Sequence, residues 1–496
     1  MAGVAPQTEP ALFEDQPFDL LKAPLLGNLL RHKSSRTLIR LALLVVSLMM
    51  IAHGLFGPPL APKNLATTLG WVHFRGFLIL ALLCAGNFFC YACPFMLVRD
   101  LARKVFQPVL NWPRPLRNKW LPLALLVAIL FCYERFALWS KPWWTAWLVI
   151  GYFAAALTVD SIFRHASFCK YVCPIGQFNF VAALVSPLEV SVRDRQVCSG
   201  CGTLDCIKGH RGTQLVSQFV SIGDAPVIQR GCELALFQPG KASNMDCTFC
   251  LDCVYACPHD NVGIVRRDAT SVLSGDPSRA GIGRFSHRKD ISALLTVFTF
   301  GALLNAFGMV TPVYAFEYWL NQLLHIGPGP VLAIIFAIFL IAEPVLLIGA
   351  AAQTAKILTK TSRSVIQVAV RYSYGLVPLG FGMWLAHYSF HLLTGLFTIV
   401  PVFQSALSDA GIPFLGDPLW RLTGIPVRVV QPIQLGMLVL ALAGAMIWTH
   451  SIAEEEQPDE TWRAFAPWAV VNMLIWCGAV WLVLQPMDMR GTFLAS

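Results

Sequence analysis

The sequence predicts a mainly α, polytopic helical membrane protein of about nine spans, with a small α+β domain inserted between the fourth and fifth. Three observations predict it. Of 496 residues 56% are hydrophobic and only 13% charged, with a mean hydropathy of +0.60, which is far more apolar than a soluble domain. Nine apolar runs, near 38–57, 70–89, 120–138, 143–161, 291–313, 331–353, 372–400, 430–449 and 467–485, are each long enough to cross a hydrocarbon core at helical rise. Between the fourth and fifth runs lies a polar, turn-rich interval, 193–290, holding eight of the fifteen cysteines.

Taken in order, residues 1–37 form a polar, proline-containing N-terminal segment. The first apolar run lies behind it with no small-residue cleavage pattern, so it reads as a retained span and not a signal peptide. Residues 38–192 make a four-helix membrane core, 193–290 the inserted soluble domain, and 291–496 a C-terminal five-helix membrane domain. Phe178 to Val192 is apolar but short and broken by Pro187, which places it at the membrane surface or in a re-entrant piece.

Charge sets the orientation. Thirty of the 37 Lys and Arg fall on the side that carries the N-terminus and the inserted domain, and seven on the other; the positive-inside rule puts the inserted domain in the cytoplasm of a bacterial inner membrane. The net charge of +9 then reads as topology and lipid contact, not nucleic-acid binding. Arg99, Arg103, Lys104, Arg114, Arg117 and Lys119, set among Phe106, Leu110 and Trp112, read as an interfacial segment for lipid headgroups, or as a dock for an acidic electron carrier.

Cys247, Cys250, Cys253 and Cys257 stand as C-x2-C-x2-C-x3-C before Pro258. That is the bacterial ferredoxin run, whose fourth thiolate ligates the other cluster of a two-cluster domain; zinc sites pair two cysteines and then leave a long gap. The second set lies upstream at Cys198, Cys201 and Cys206, with irregular spacing, and Cys232 is the nearby cysteine left over. The consistent assignment is one [4Fe–4S] cluster on Cys198, Cys201, Cys206 and Cys257 and another on Cys247, Cys250, Cys253 and Cys232, with His210 as a rival fourth ligand. The inserted domain is thus expected to be ferredoxin-like.

A repeat appears in the membrane core. One apolar stretch runs into Cys90-Tyr-Ala-Cys93-Pro94 and another into Cys169-Lys-Tyr-Val-Cys173-Pro174. The intervening spans return the chain to the same face, so Cys90, Cys93, Cys169 and Cys173 form a candidate third cluster, with reduced thiols or a redox-active disulfide as alternatives. Proline after each pair is expected to turn the backbone away from helix. Cys84, Cys132 and Cys477 lie within apolar runs and read as packing residues.

Ionisable residues inside apolar runs suggest a quinone site. His387 and His391 share a helix face at i, i+4, about 20 and 13 Å by helical rise from the outer end of their span. His53 and His73, with Arg75, fall near the same outer surface, and Glu343 precedes Pro344 inside the sixth run. Histidine and carboxylate there suit the two protons of quinone chemistry; mutual or backbone hydrogen bonding is the plainer reading. Non-covalent haem b on two histidines is a further alternative, disfavoured here, and no C-x-x-C-H marks a covalent haem.

These motifs together, over about residues 38–265, resemble the NapH/NosR-type membrane-bound iron–sulfur proteins of the polyferredoxin family. The resemblance implies a quinol-linked electron-transfer component serving a reductase or its maturation, with Cys90, Cys93, Cys169 and Cys173 matching the membrane motifs. The first membrane motif has two residues between its cysteines where the family usually has three. No Ser/Thr-Gly-Ala-Thr flavinylation motif is present, and the five helices after residue 290 lie outside the likeness.

The sequence holds no phosphate-binding Gly-rich loop, zinc-hydrolase motif or nucleophile with its base. The expected function is an electron-transfer subunit, without a substrate-converting centre of its own, that links the quinone pool to a catalytic oxidoreductase or electron-carrier partner. The alternative is an iron–sulfur redox sensor or an assembly factor for a metalloenzyme.

Overall fold

The computed structural model describes residues 18–211, 216–217, 220–221, 227–268 and 270–488. Its long helices are, in chain order, α1 (Lys33–Phe56), α2 (Leu65–Ala85), α3 (Trp120–Arg135), α4 (Pro142–Ile162), α5 (Lys289–Phe307), α6 (Pro328–Thr359), α7 (Val365–Thr394), α8 (Ile399–Asp409), α9 (Val427–Glu456) and α10 (Pro458–Leu484). Among the described residues seven of these (α1, α2, α4, α5, α6, α9 and α10) are long and apolar enough to cross a membrane, and α7 with α8 form an eighth if that bent pair is one span.

Two of the nine expected spans differ. α3 has 16 residues, about 24 Å at helical rise against a hydrocarbon core of about 30 Å, and it stops before Ala137, whose φ of 45° no helix continues. The run 372–400 is not one rod: the helix ends at Thr394 and resumes at Ile399 with a 57° bend. A shorter departure marks α6, where a π-helical turn at Ile338–Ala342 runs directly into Glu343-Pro344. Pro344 has no N–H for the preceding turn, which frees a carbonyl and favours such a bulge.

α5 and α7 are the most deeply buried helices, and glycine is what brings their neighbours close. A Cβ on Gly380 would stand 2.6 Å from Thr299 Oγ1 on α5, and one on Gly382 2.2 Å from Ala441 Cβ on α9. Small residues at such crossings let backbones approach where lipid offers no hydrophobic drive. Gly76 on α2 meets Leu392 of α7 in the same way, and Trp384 Nε1 donates to the Phe298 carbonyl at 2.8 Å. One apolar core therefore runs through residues from both membrane segments, from Leu78 and Phe178 to Trp384 and Trp468.

The interval after the membrane core contains little sheet. β1 (Leu188–Val192) pairs antiparallel with β2 (Val262–Arg266), Val190 opposite Ile264, and the other strands among the described residues form two short pairs. The described part of the N-terminal segment is tied to this pair. Asp19 is buried and accepts from the Leu21 and Ile264 amides at 2.9 and 3.0 Å and from Arg193 Nε at 2.7 Å. In the 178–192 stretch, Phe178 to Ala182 complete a buried helix, Pro174–Ala182, that packs against α3 and α5, and Leu188 to Val192 form β1.

Candidate metal centres

The ferredoxin run folds around its own sulfurs. Phe249 and Leu251 take left-handed φ values of 52° and 62°, curling the chain so that the Phe249 amide reaches Cys247 Sγ at 3.4 Å. Cys253 rides on the short helix Asp252–Ala256, which ends at Cys257. Cys232 joins from a separate loop, with the Leu236 amide 3.4 Å from its sulfur. Burial pushes the Cys253 thiol well up, and negative charge on Cys232 and Cys247 would push it further; Cys250 responds to Cys232 and Cys253 after burial, Asp252 and Glu233. Cys232, Cys247, Cys250 and Cys253 thus form one set.

The other set lines a small cavity with Phe237 and Asn261: Cys198, Cys201, Cys206 and Cys257. Asn261 bridges two of them, its backbone amide 3.3 Å from Cys257 Sγ and its side-chain Nδ2 3.3 Å from Cys198 Sγ. The Leu204 amide, then the hydroxyl and amide of Thr203, lower the Cys201 thiol to about 7. Burial, with Cys257, Cys198 and Cys201 adding to it, raises Cys206 to about 11. His210 is turned to Asp205, 3.2 Å away, and does not line this cavity.

The two membrane motifs converge. Cys90 lies on the turn Phe88–Ala92 and Cys169 on Ser167–Tyr171, while Cys93 and Cys173 cap the helices Pro94–Ala102 and Pro174–Ala182. Here the expected role of proline is corrected: Pro94 and Pro174 each begin a helix, since the first helical position needs no N–H. Gly176 N donates to Cys173 Sγ at 3.3 Å and Asn179 Nδ2 to Cys90 Sγ at 3.5 Å. Burial raises the Cys90 thiol, with Cys93, Cys173 and also Cys247 of the ferredoxin run opposing its charge.

Buried polar contacts clamp these sets together. Asp246, beside Cys247, holds Lys119 Nζ at 3.0 Å and Lys170 Nζ, beside Cys169, at 3.1 Å. Glu233, beside Cys232, receives Arg99 at 2.5 and 2.9 Å. Burial alone would raise the Glu233 carboxyl, but the guanidinium overrides it and holds the group at about 2. Arg99 and Lys119, expected to meet lipid headgroups, are therefore buried struts. The motifs are joined through the fold: Lys170, next to Cys169, meets Asp246, next to Cys247, and Cys257 of the ferredoxin run lines one cavity with Cys198, Cys201 and Cys206.

The donor sets suit thiolate-bound clusters: four sulfurs each, backbone or side-chain N–H groups aimed at them, and no disulfide among the fifteen cysteines. Among the described residues no group of three or more His, Cys, Asp or Glu is arranged to hold a metal ion, so the expected cluster ligand sets rest on cysteine spacing. Of the cysteines assigned to packing, Cys84 and Cys477 are exposed on outward helix faces.

The polar residues proposed for quinone are dispersed. His53 Nδ1 accepts from the Leu65 amide at 3.0 Å and its Nε2 lies 3.6 Å from Asp409. His73 has a backbone carbonyl at each ring nitrogen, Thr68 at 3.1 Å and Leu396 at 3.2 Å. His387 and His391 stack edge to face, 5.0 Å between centroids, on successive turns of α7, which leaves no room for a porphyrin between them. With α7 ending at Thr394, His391 is one turn from the helix end and not midway down a span. Glu343 sits half-buried on α6, whose C-terminal part packs chiefly on α10.

Sequence reasoning missed the feature that does gather lipophilic and polar groups. A cavity of about 550 Å³ lies between α1, α2, α3, α4, α5 and α7, walled by apolar side chains and reached by His73, Arg75, Tyr133, Asn305 and Tyr388. Pro94 and Pro174, each next to a membrane cysteine, line it too. The signal available in sequence was Arg75, an arginine inside an apolar run.

Two curated proteins resemble part of this chain. The regulatory protein NosR of Pseudomonas aeruginosa is 28% identical over 190 residues, covering 34% of this chain and 23% of NosR. YccM of Escherichia coli, provisionally named an electron transport protein, is 24% identical over 209 residues, covering 37% of this chain and 51% of YccM. The chain thus spans about a quarter of one relative's length and about half of the other's. The likeness to the NapH/NosR type read from the motifs is found in both. No family model matches the chain, and no solved structure matches it.

Proposed function

We propose that this chain is an integral-membrane iron–sulfur subunit that passes electrons between the quinone pool and a partner oxidoreductase on the cytoplasmic side of a bacterial inner membrane. What supports this reading is how the cysteine motifs are tied together: Asn87 and Lys170 of the membrane motifs bond Cys247 and its neighbour Asp246, and Cys257 of the ferredoxin run lines one small cavity with Cys198, Cys201 and Cys206. When bound, [4Fe–4S] clusters supply one-electron steps. The chain's own part is to hold them: twelve thiols as ligands, N–H groups on the sulfurs, and the Asp246 and Glu233 ion pairs fixing one set against the next. Exposure of Phe237, which lines the cavity of Cys198, Cys201, Cys206 and Cys257, supports that set as the place where a partner docks. The name of the relative YccM supports electron transport.

The regulatory name of the other relative favours a second reading, a redox sensor or maturation factor. Both are tested on the full chain in native membranes by iron and acid-labile sulfide content, electron paramagnetic resonance of the reduced protein, and reduction of its clusters by a short-chain quinol. About twelve irons per chain, quinol-driven reduction and co-purification with a catalytic subunit support the relay. Clusters that quinol does not reduce, on a chain with no turnover partner, favour the sensor.

A further inference from the structure

The large membrane cavity contains a cation that nothing described so far uses. Arg75 is 8% exposed and forms no ion pair among the described residues. Its Nε donates to the Trp71 carbonyl at 3.0 Å and a terminal nitrogen to Tyr133 Oη at 2.7 Å. Its guanidinium lies over the rings of Trp71, Tyr133 and Tyr388 at 4.9, 4.8 and 5.1 Å. A permanent charge inside an apolar helix of spanning length is expensive and marks function by default, and here it is held in place by neutral groups alone. Three aromatic rings fix the planar fork without neutralising it; with the Trp71 carbonyl and the Tyr133 and Tyr388 hydroxyls bonded, two of its five N–H donors are left for a ligand.

The same cavity presents Asn305 from α5, whose carboxamide oxygen is buried without a hydrogen-bond partner among the described residues. A fixed donor and an unsatisfied acceptor on apolar walls describe a particular ligand. It carries a carbonyl that becomes a hydroxyl, on a body otherwise made of ring and hydrocarbon. A lipid phosphate fits poorly, because it brings a full negative charge to a cavity with one cation.

We propose that Arg75 and Asn305 anchor the headgroup of an isoprenoid quinone in this cavity, in place of the dispersed His53, His387, His391 and Glu343. The proposal rests on the quinone-linked reading above and deepens it by assigning the site. The guanidinium donates to a quinone carbonyl and the carboxamide oxygen accepts from a quinol hydroxyl; the same cavity is also lined by Pro94 and Pro174, next to the membrane cysteines.

The test is binding of ubiquinone-1 to the full chain in detergent, followed by quenching of tryptophan fluorescence, since Trp71 and Trp384 line the cavity. Arg75→Gln is expected to weaken binding at least tenfold, and Asn305→Leu severalfold. Ala81→Trp, which fills the cavity from the α2 wall without touching the arginine, is expected to abolish it and serves if Arg75→Gln fails to fold. Wild-type affinity in Ala81→Trp, or in a folded Arg75→Gln, overturns this site while leaving the quinone reading intact. No binding of ubiquinone-1 by the wild-type chain overturns both. Displacement of bound ubiquinone-1 by phosphatidylglycerol at equal concentration overturns the assignment in favour of a phosphate site.

Discussion

Asn87 of the first membrane motif is bonded directly to Cys247 of the ferredoxin run: its side-chain Nδ2 donates to the Cys247 carbonyl at 2.5 Å, and to that of Asn244 at 2.6 Å. Gly86, at φ +63°, makes the turn that delivers Asn87, and a Cβ there would come within 2.9 Å of Asn244 Nδ2. The end of a membrane helix and the backbone of a candidate cluster ligand are therefore one rigid unit.

Asn87→Ala is expected to leave the buried Cys247 carbonyl unsatisfied, at a cost of about 1–3 kcal/mol, while the Asn244 carbonyl keeps the Cys247 amide at 3.0 Å. Thermal unfolding of the purified protein should fall accordingly, and protease should cut within residues 193–290 before it cuts the helices. Unchanged unfolding and cleavage would remove this clamp from the account.

Iron content separates the cysteine sets. Cys90→Ser and Cys173→Ser should each lower iron by about four per chain while Cys247→Ser removes a different four. Equal iron in wild type, Cys90→Ser and Cys173→Ser would dispose of the membrane cluster and keep the ferredoxin pair.

Gly176→Ala probes the membrane set without touching a ligand. The added Cβ would meet the Cys169 carbonyl at 2.8 Å and Cys173 Sγ at 3.6 Å, so the helix start must shift away from the sulfurs. We expect loss of one cluster's spectroscopic signature with the other two retained; three intact signatures would show that the site tolerates the methyl.

The Arg99–Glu233 pair joins the helix after Pro94 to the loop of Cys232. Glu233→Gln should cost about 3–5 kcal/mol, the range for breaking one side of a buried pair, reduced to the extent that Asp100 and Asp160 still face Arg99. A double-mutant cycle with Arg99→Met measures the coupling, and a value near zero would make the contact incidental.

Spacing made the cysteines legible. C-x2-C-x2-C-x3-C-P fixes local geometry within one loop, so Cys247 to Cys257 are readable from order alone, and a repeated Cys-Pro motif at matching helix ends points to Cys90, Cys93, Cys169 and Cys173. Hydropathy likewise located the helices but not their number as spans. Whether α3 or the 372–400 run crosses depends on where a helix stops, and Ala137 and the bend after Thr394 are backbone decisions that mean hydropathy does not record.

What the sequence by itself determined is therefore chemical and local: an apolar, multi-helix chain with twelve cysteines in ligand-like spacing. The tertiary structure decided which polar residues meet. His387, His391, His53 and Glu343 look equivalent in a list of ionisable residues inside apolar runs, yet packing directs His53 to Asp409 and the Leu65 amide and sets Glu343 apart on α6. Arg75, unremarkable in the same list, is brought by α2, α3 and α7 among three rings at the wall of a cavity. The reason is physical: a helix period fixes the face a residue occupies, but only the crossing of six helices fixes which faces enclose a common space.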